Sequence, residues 1–268
     1  MKRIETTSAS LHSLAMAFML CDHLWGTVIS GNDWLTCVGR LAMPIFAFLL
    51  VEGYFHTSNL KKYAGRMALF AVLSELPFNL AIGGRVFFPI HQNILWSFLL
   101  SLWLIHCNER AKATGKCWRR ILTGAASIAL GTVLGLVTFV DYHHVGILTV
   151  LVFYFFRGRK WWHFAGQALC LWYLNTEVLG GLVYEFTLFG QALSIHQQSF
   201  ALLALVPIWL YRGGQGHHSK AFQKKMYFSV CHHFYQFPAL PPVKKAFRVD
   251  LRQHRHFKQI FYIISIPL

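Results

Sequence analysis

An aspartate and a histidine, Asp22 and His23, adjoin inside an otherwise apolar run from about Ala9 to Ile29. In hydrocarbon each charged residue costs on the order of 2.5–3.5 kcal/mol by insertion scales. A chain keeps such a pair where the fold matches it or where it does chemistry. Neighbours on a helix point about 100° apart, so Asp22 and His23 do not face each other. Asp22 is expected to pair with Arg40 across to the next apolar stretch. That leaves His23, whose ordinary pKa lies near 6.5, as the candidate general base. His12, Met16, Met19 and His23 share one helical face, a stripe that reads as packing.

Other candidates follow the same logic. Glu75 lies before Pro77, which frees a carbonyl and kinks a helix. His91 and Asn93 open one apolar stretch, and Asp141 and His143 open another. Arg40 reads equally as a snorkelling helix-end cation, and His143 with His144 as interfacial loop residues. The His-His pairs at 143, 217 and 232 lack metal-ligand company, so no metal is expected. There is no G-x-S-x-G, P-loop, G-x-G-x-x-G or H-E-x-x-H sequence. The six cysteines are scattered without a C-x-x-C and read as buried thiols.

The elements that must position these residues are set by composition. Of 268 residues 55% are hydrophobic and 13% charged, about half the usual soluble share, with a mean hydropathy of +0.43. The expected fold class is therefore all-α, a polytopic membrane helix bundle. Apolar windows fall at about 9–29, 35–55, 64–82, 91–107, 121–140, 143–157, 161–180 and 195–211, about eight spans. The basic N-terminus runs into the first span without a small-residue cleavage site, so that span is expected to be retained.

A formal charge of +15 would suggest nucleic acid in a soluble protein, but here it follows the membrane. Lys and Arg follow alternate spans: Lys2 and Arg3; Lys61, Lys62 and Arg66; Arg110 to Arg120; Arg157 to Lys160; then Arg212 and beyond. The opposite loops hold Arg40 and Arg85. The positive-inside rule predicts a cell-membrane protein with a cytoplasmic N-terminus. That topology puts Asp22, His23, Arg40, Glu75, His91, Asn93, Asp141 and His143 at one depth, near the outer face. Their gathering predicts a polar cavity open to that side.

Residues 1–212 read as the membrane domain. Residues 213–268 hold nine Lys or Arg, one acid (Asp250), six His and four of the eight prolines. They read as a basic cytoplasmic tail on anionic lipid, or as an ending replaced by a frameshift.

The ordered set of short motifs resembles the TraX family. It comprises M-x-x-D-H (Met19, Asp22, His23), G-R-x-A-x-P-x-F-A-F (Gly39 to Phe48) and Arg66 followed by S-x-x-P (Ser74, Pro77). It continues with N-x-L (Asn93 to Leu95) and D-Y with a following glycine (Asp141, Tyr142, Gly146). The likeness covers roughly residues 9–211. It departs where His143, His144 and Val145 separate D-Y from its glycine, and in an ending without a further apolar span.

The resemblance implies an integral membrane acetyltransferase taking its acyl group from acetyl-CoA. In the founding member the acceptor is the pilin N-terminus, and the acceptor here is a protein or small-molecule amine or hydroxyl. His23, Asp22 and Arg40 would form the catalytic set, with His91 or His143 as an alternative base. Lys61, Lys62 and Arg66 would draw the CoA phosphates. The expected partners are the bilayer and the acceptor, not nucleic acid. A proton-coupled transporter and a non-catalytic assembly factor are the alternatives, since intramembrane Asp, Glu and His also mark proton relays.

Overall fold

The computed structural model describes residues 6–27, 29, 31–83, 86–188 and 191–214. Arg85 and residues 215–268, including nearly all of the basic tail, lie outside the described residues.

The chain divides into two compact units, 1–49 with 156–219 and 50–155 with 220–268. In the first, α1 (Ser8–Thr27) opens with Thr7 and Ser10 exchanging side-chain and backbone hydrogen bonds, a reciprocal cap that satisfies donors the first turn leaves open. The short α2 (Trp34–Gly39) packs on α1. Next, α3 (Ala42–His56) begins in the first unit and ends in the second. The stretch expected as one second span is thus two helices, meeting at Arg40 and Leu41.

The first unit resumes with α8 (Trp161–Trp172), which continues as a π-helix over Tyr173–Leu179. An antiparallel hairpin follows, β1 (Val183–Leu188) with β2 (Gln191–His196), in register from Val183 opposite His196 to Leu188 opposite Gln191. A 3₁₀ segment, Gln197–Ala204, leads into α9 (Leu205–Trp209). Thr6 and Ser8 donate backbone hydrogen bonds to Leu210 and Gly214, joining the start of α1 to the end of α9.

The second unit holds α4 (Leu60–Gly83), α5 (Ile94–Ala113), α6 (Cys117–Val137) and α7 (His143–Phe155). Here α5, α6 and α7 pack on one another, and α4 packs on α5. Asn108 on α5 donates to Ser127 on α6 at 2.6 Å, and Tyr154 on α7 donates to Glu109 on α5 at 2.8 Å. The buried residues of α6 are Gly124, Ser127, Gly131 and Gly135, while Ile121, Leu122, Ile128, Val133, Leu136 and Val137 are exposed. Small residues inside and large apolar ones outside is the helix pattern of a lipid environment.

The all-α expectation holds, with the hairpin as an addition. The eighth window was expected from 195, but Ile195 and His196 belong to β2 and the helical part is 13 residues. The sixth is also 13 residues, about 20 Å at 1.5 Å per residue, against a hydrocarbon core of about 30 Å. Among the described residues two helical stretches, Trp34–His56 and Cys117–Val137, are long and apolar enough to cross a membrane. These two suggest a membrane protein.

Candidate functional site

In the first unit Asp22, Thr36, Arg40 and Gln197 form one buried net. Arg40 Nη2 lies 2.5 Å from Asp22 Oδ1. The Thr36 hydroxyl donates to the same oxygen at 2.6 Å and accepts from Arg40 Nη2 at 2.9 Å and Gln197 Nε2 at 2.5 Å. One donor and two acceptor positions exhaust a hydroxyl, so Thr36 is fully used. Arg40 Nε reaches back to the Thr36 carbonyl at 3.3 Å. Gln197 is held by its own amide, which donates to Leu182 O at 2.7 Å.

Gly39 explains why this net can close. A Cβ there would collide with the Cβ and carboxyl of Asp22, so only glycine lets α2 approach α1 this closely. His23, one residue beyond Asp22 on α1, is 2% exposed. It therefore sits on a helix turn fixed by the net.

In the second unit a further polar cluster forms where α4 meets the start of α5. Asn93 caps α5, accepting from Leu95 N at 3.2 Å, while its Nδ2 donates to Ala71 O and to Glu75 Oε2. Trp96 Nε1 also donates to Glu75 Oε2, at 3.1 Å. A carboxylate at a helix N-terminus meets the positive end of the helix dipole.

Beside it, Gln92 pairs with Val140, its amide donating to Phe139 O and its carbonyl accepting from Asp141 N. That short pairing sets His91 Nε2 3.5 Å from Asp141 Oδ1, both residues 2% exposed. Burial pushes the Asp141 carboxyl above its usual range, and the neighbouring His91 ring offsets part of that rise. The His91 ring faces Phe78 at 5.3 Å and His143 at 6.4 Å. Phe139, Tyr142 and His143 hold φ of +51°, +55° and +47°, sparsely populated values that cost energy at each residue.

Of the eight residues expected at one depth, Asp22, His23 and Arg40 thus belong to the first unit. Glu75, His91, Asn93, Asp141 and His143 belong to the second. The expected basic set divides as well. Lys62 and Arg66 line an open cleft of about 570 Å³ with Thr57, Ser58, Asn59, Gly65 and Leu69, and Lys61 is not among its lining residues. Two cations beside hydroxyl and amide groups suit phosphate oxygens. Among the described residues no group of three His, Cys, Asp or Glu is placed to hold a metal.

The family model described as TraX protein matches residues 7–240. The chain belongs to the TraX family. The match takes in both polar clusters and runs past Arg212 into the tail. Similar in sequence to this chain is the probable fimbrial assembly protein FimC, serogroup H1, of Dichelobacter nodosus. It is 37% identical over 78 residues, 28% of this chain and 32% of that protein. The chain therefore aligns with about a third of that relative's length. No solved structure matches this TraX chain.

Sequence reading missed Thr36, Gln197 and Trp96. Thr36 was findable, lying four residues before Arg40 and so on the same helix face. Gln197 had no such signal, being 161 residues from Thr36.

Proposed function

We propose that this TraX-family chain is a multi-pass membrane acetyltransferase serving assembly of a pilus-like surface structure, with its N-terminus cytoplasmic. The observation that carries the reading is the Asp22–Thr36–Arg40–Gln197 net. It spends the carboxylate on holding two helices and fixes His23 beside it, and a site works when its supporting shell is rigid. Family membership and the fimbrial assembly relative support the pilus-related part.

In the reaction an acceptor amine or hydroxyl gives a proton to His23. Its nitrogen or oxygen bonds to the acetyl carbon of acetyl-CoA, and the carbon–sulfur bond breaks to leave the CoA thiolate, which takes up a proton. Lys62 and Arg66 draw the CoA phosphates at the Thr57–Leu69 cleft. The test supplies membranes with labelled acetyl-CoA. The wild-type chain should label an acceptor, and His23→Ala should cut labelling by about 10²–10⁴-fold while the protein still inserts. Undiminished labelling by that variant would remove His23 from the mechanism.

A second reading is favoured by the name of the fimbrial relative alone: a non-catalytic membrane assembly factor. Under it His23→Ala would assemble surface fibres as well as wild type. The proton-coupled transporter predicts substrate flux in liposomes without acetyl-CoA.

A further inference from the structure

The second cluster holds polar atoms that no structural role accounts for. Asp141 Oδ2 and His91 Nδ1 are buried without a hydrogen-bond partner, and His91 Nε2 meets Asp141 at an ion-pair distance longer than a hydrogen bond. Leaving such groups unsatisfied costs about 1–3 kcal/mol each. The fold nevertheless fixes them firmly. Two backbone hydrogen bonds join Gln92 to Phe139 and Asp141, and Ser97 Oγ donates to the Asp141 carbonyl at 3.2 Å. The strained residues Phe139, Tyr142 and His143 bracket Asp141 between the end of α6 and the start of α7. Strain and unsatisfied polar atoms collected at one place mark function over stability.

The surroundings say what the function is. His91, ahead of α5, and Asp141, between α6 and α7, both lie outside the helices. The titratable groups facing His91 are Asp141 and His143 from the 139–143 loop and Glu75 from α4. His144 follows in the first turn of α7, half-buried. Phe78 covers one side of the His91 ring. His143 is exposed, its ring perpendicular to that of His91. A buried imidazole oriented by a carboxylate, with an exposed imidazole next to it, has the parts of a proton relay.

We propose that His91 and Asp141 form a buried proton-handling pair whose outlet to solvent is His143. A proton bound at His91 leaves by transfer to the His143 ring and from there to water, and the reverse path reloads it, so no other reactant is consumed. The proposal rests on the acetyl-transfer reading only for the source of the proton, since acetylating an ammonium group to an amide releases one net proton.

The experiment is histidine-labelled NMR on the full chain in lipid nanodiscs, with His91 assigned by the signal lost in His91→Gln. The His91 ring should exchange protons with solvent in the wild type, and Asp141→Asn should move its ring resonances through loss of the carboxylate 3.5 Å away. His143→Gln, which removes the exposed imidazole, should slow proton exchange at His91, with the retained amide spectrum of the other residues showing that the variant is folded. A His91 ring that keeps one protonation state throughout, or whose exchange ignores His143→Gln, overturns the proposal. A chain that passes these tests but transfers no acetyl group sinks the acetyltransferase reading and leaves the relay standing.

Discussion

Thr36 is the residue through which Asp22, Arg40 and Gln197 are bound into one net, because its hydroxyl meets all three. Thr36→Val keeps the shape and removes every one of those bonds. It should cost about 1–3 kcal/mol, since buried donors on Arg40 and Gln197 lose an acceptor. Thr36→Ser should restore most of that. Arg40→Ala is expected to be worse, about 3–5 kcal/mol, because it leaves Asp22 buried without its cation. Thermal unfolding of the purified variants in detergent ranks them; an Arg40→Ala chain as stable as wild type would contradict the net's structural role. The Asp22–Arg40 pairing was legible because a carboxylate in an apolar stretch has few cations to choose from. Gln197 was not, since nothing local marks a glutamine that serves a helix far away in sequence.

Among elements, α6 shows how residue size decides packing. A Cβ at Gly135 would run into the backbone of His144, which cannot yield as a flexible side chain can. A Cβ at Gly124 would meet Phe155 at an ordinary 3.6 Å. Gly135→Ala should therefore destabilise by about 1–3 kcal/mol, while Gly124→Ala should be neutral or gain up to about 1 kcal/mol from the restricted unfolded chain. Equal unfolding temperatures for the two variants would show that α6 and α7 do not pack this closely. Hydropathy windows found α6 and the start of α7 because apolar runs and the Asp141–His143 break are visible at that scale. They missed the hairpin. In Val183–Leu188 apolar and polar residues nearly alternate, a period-2 pattern that a window of about 20 residues averages away. They found the second span as the Trp34–His56 stretch, without showing that Arg40 and Leu41 divide it into α2 and α3.

For the whole molecule the proposed topology assigns each end of a helix to one side of the membrane. Large apolar residues are exposed along α4 (Leu69, Val72, Leu73, Leu76), α6 and α8 (Trp161, Leu169, Trp172), more than a water-soluble surface usually leaves bare. The basic residues do not mix with that coat. Arg110 and Lys112 close α5, Lys116 precedes α6, and Arg119 and Arg120 lie in its first turn. If this α5–α6 turn is cytoplasmic, as the positive-inside rule requires, Cys117 reports it. Cys117 is an exposed free thiol at the first residue of α6, whereas Cys37 is buried and Cys21, Cys107 and Cys170 are half-buried. In a chain carrying Cys231→Ser, a membrane-impermeant maleimide should leave Cys117 unlabelled in intact cells and label it once the membrane is opened. Labelling before opening would reverse the orientation and put the Lys62–Arg66 cleft on the side away from cytoplasmic acetyl-CoA, so the same thiol tests both the topology and the route by which the acyl donor reaches the protein.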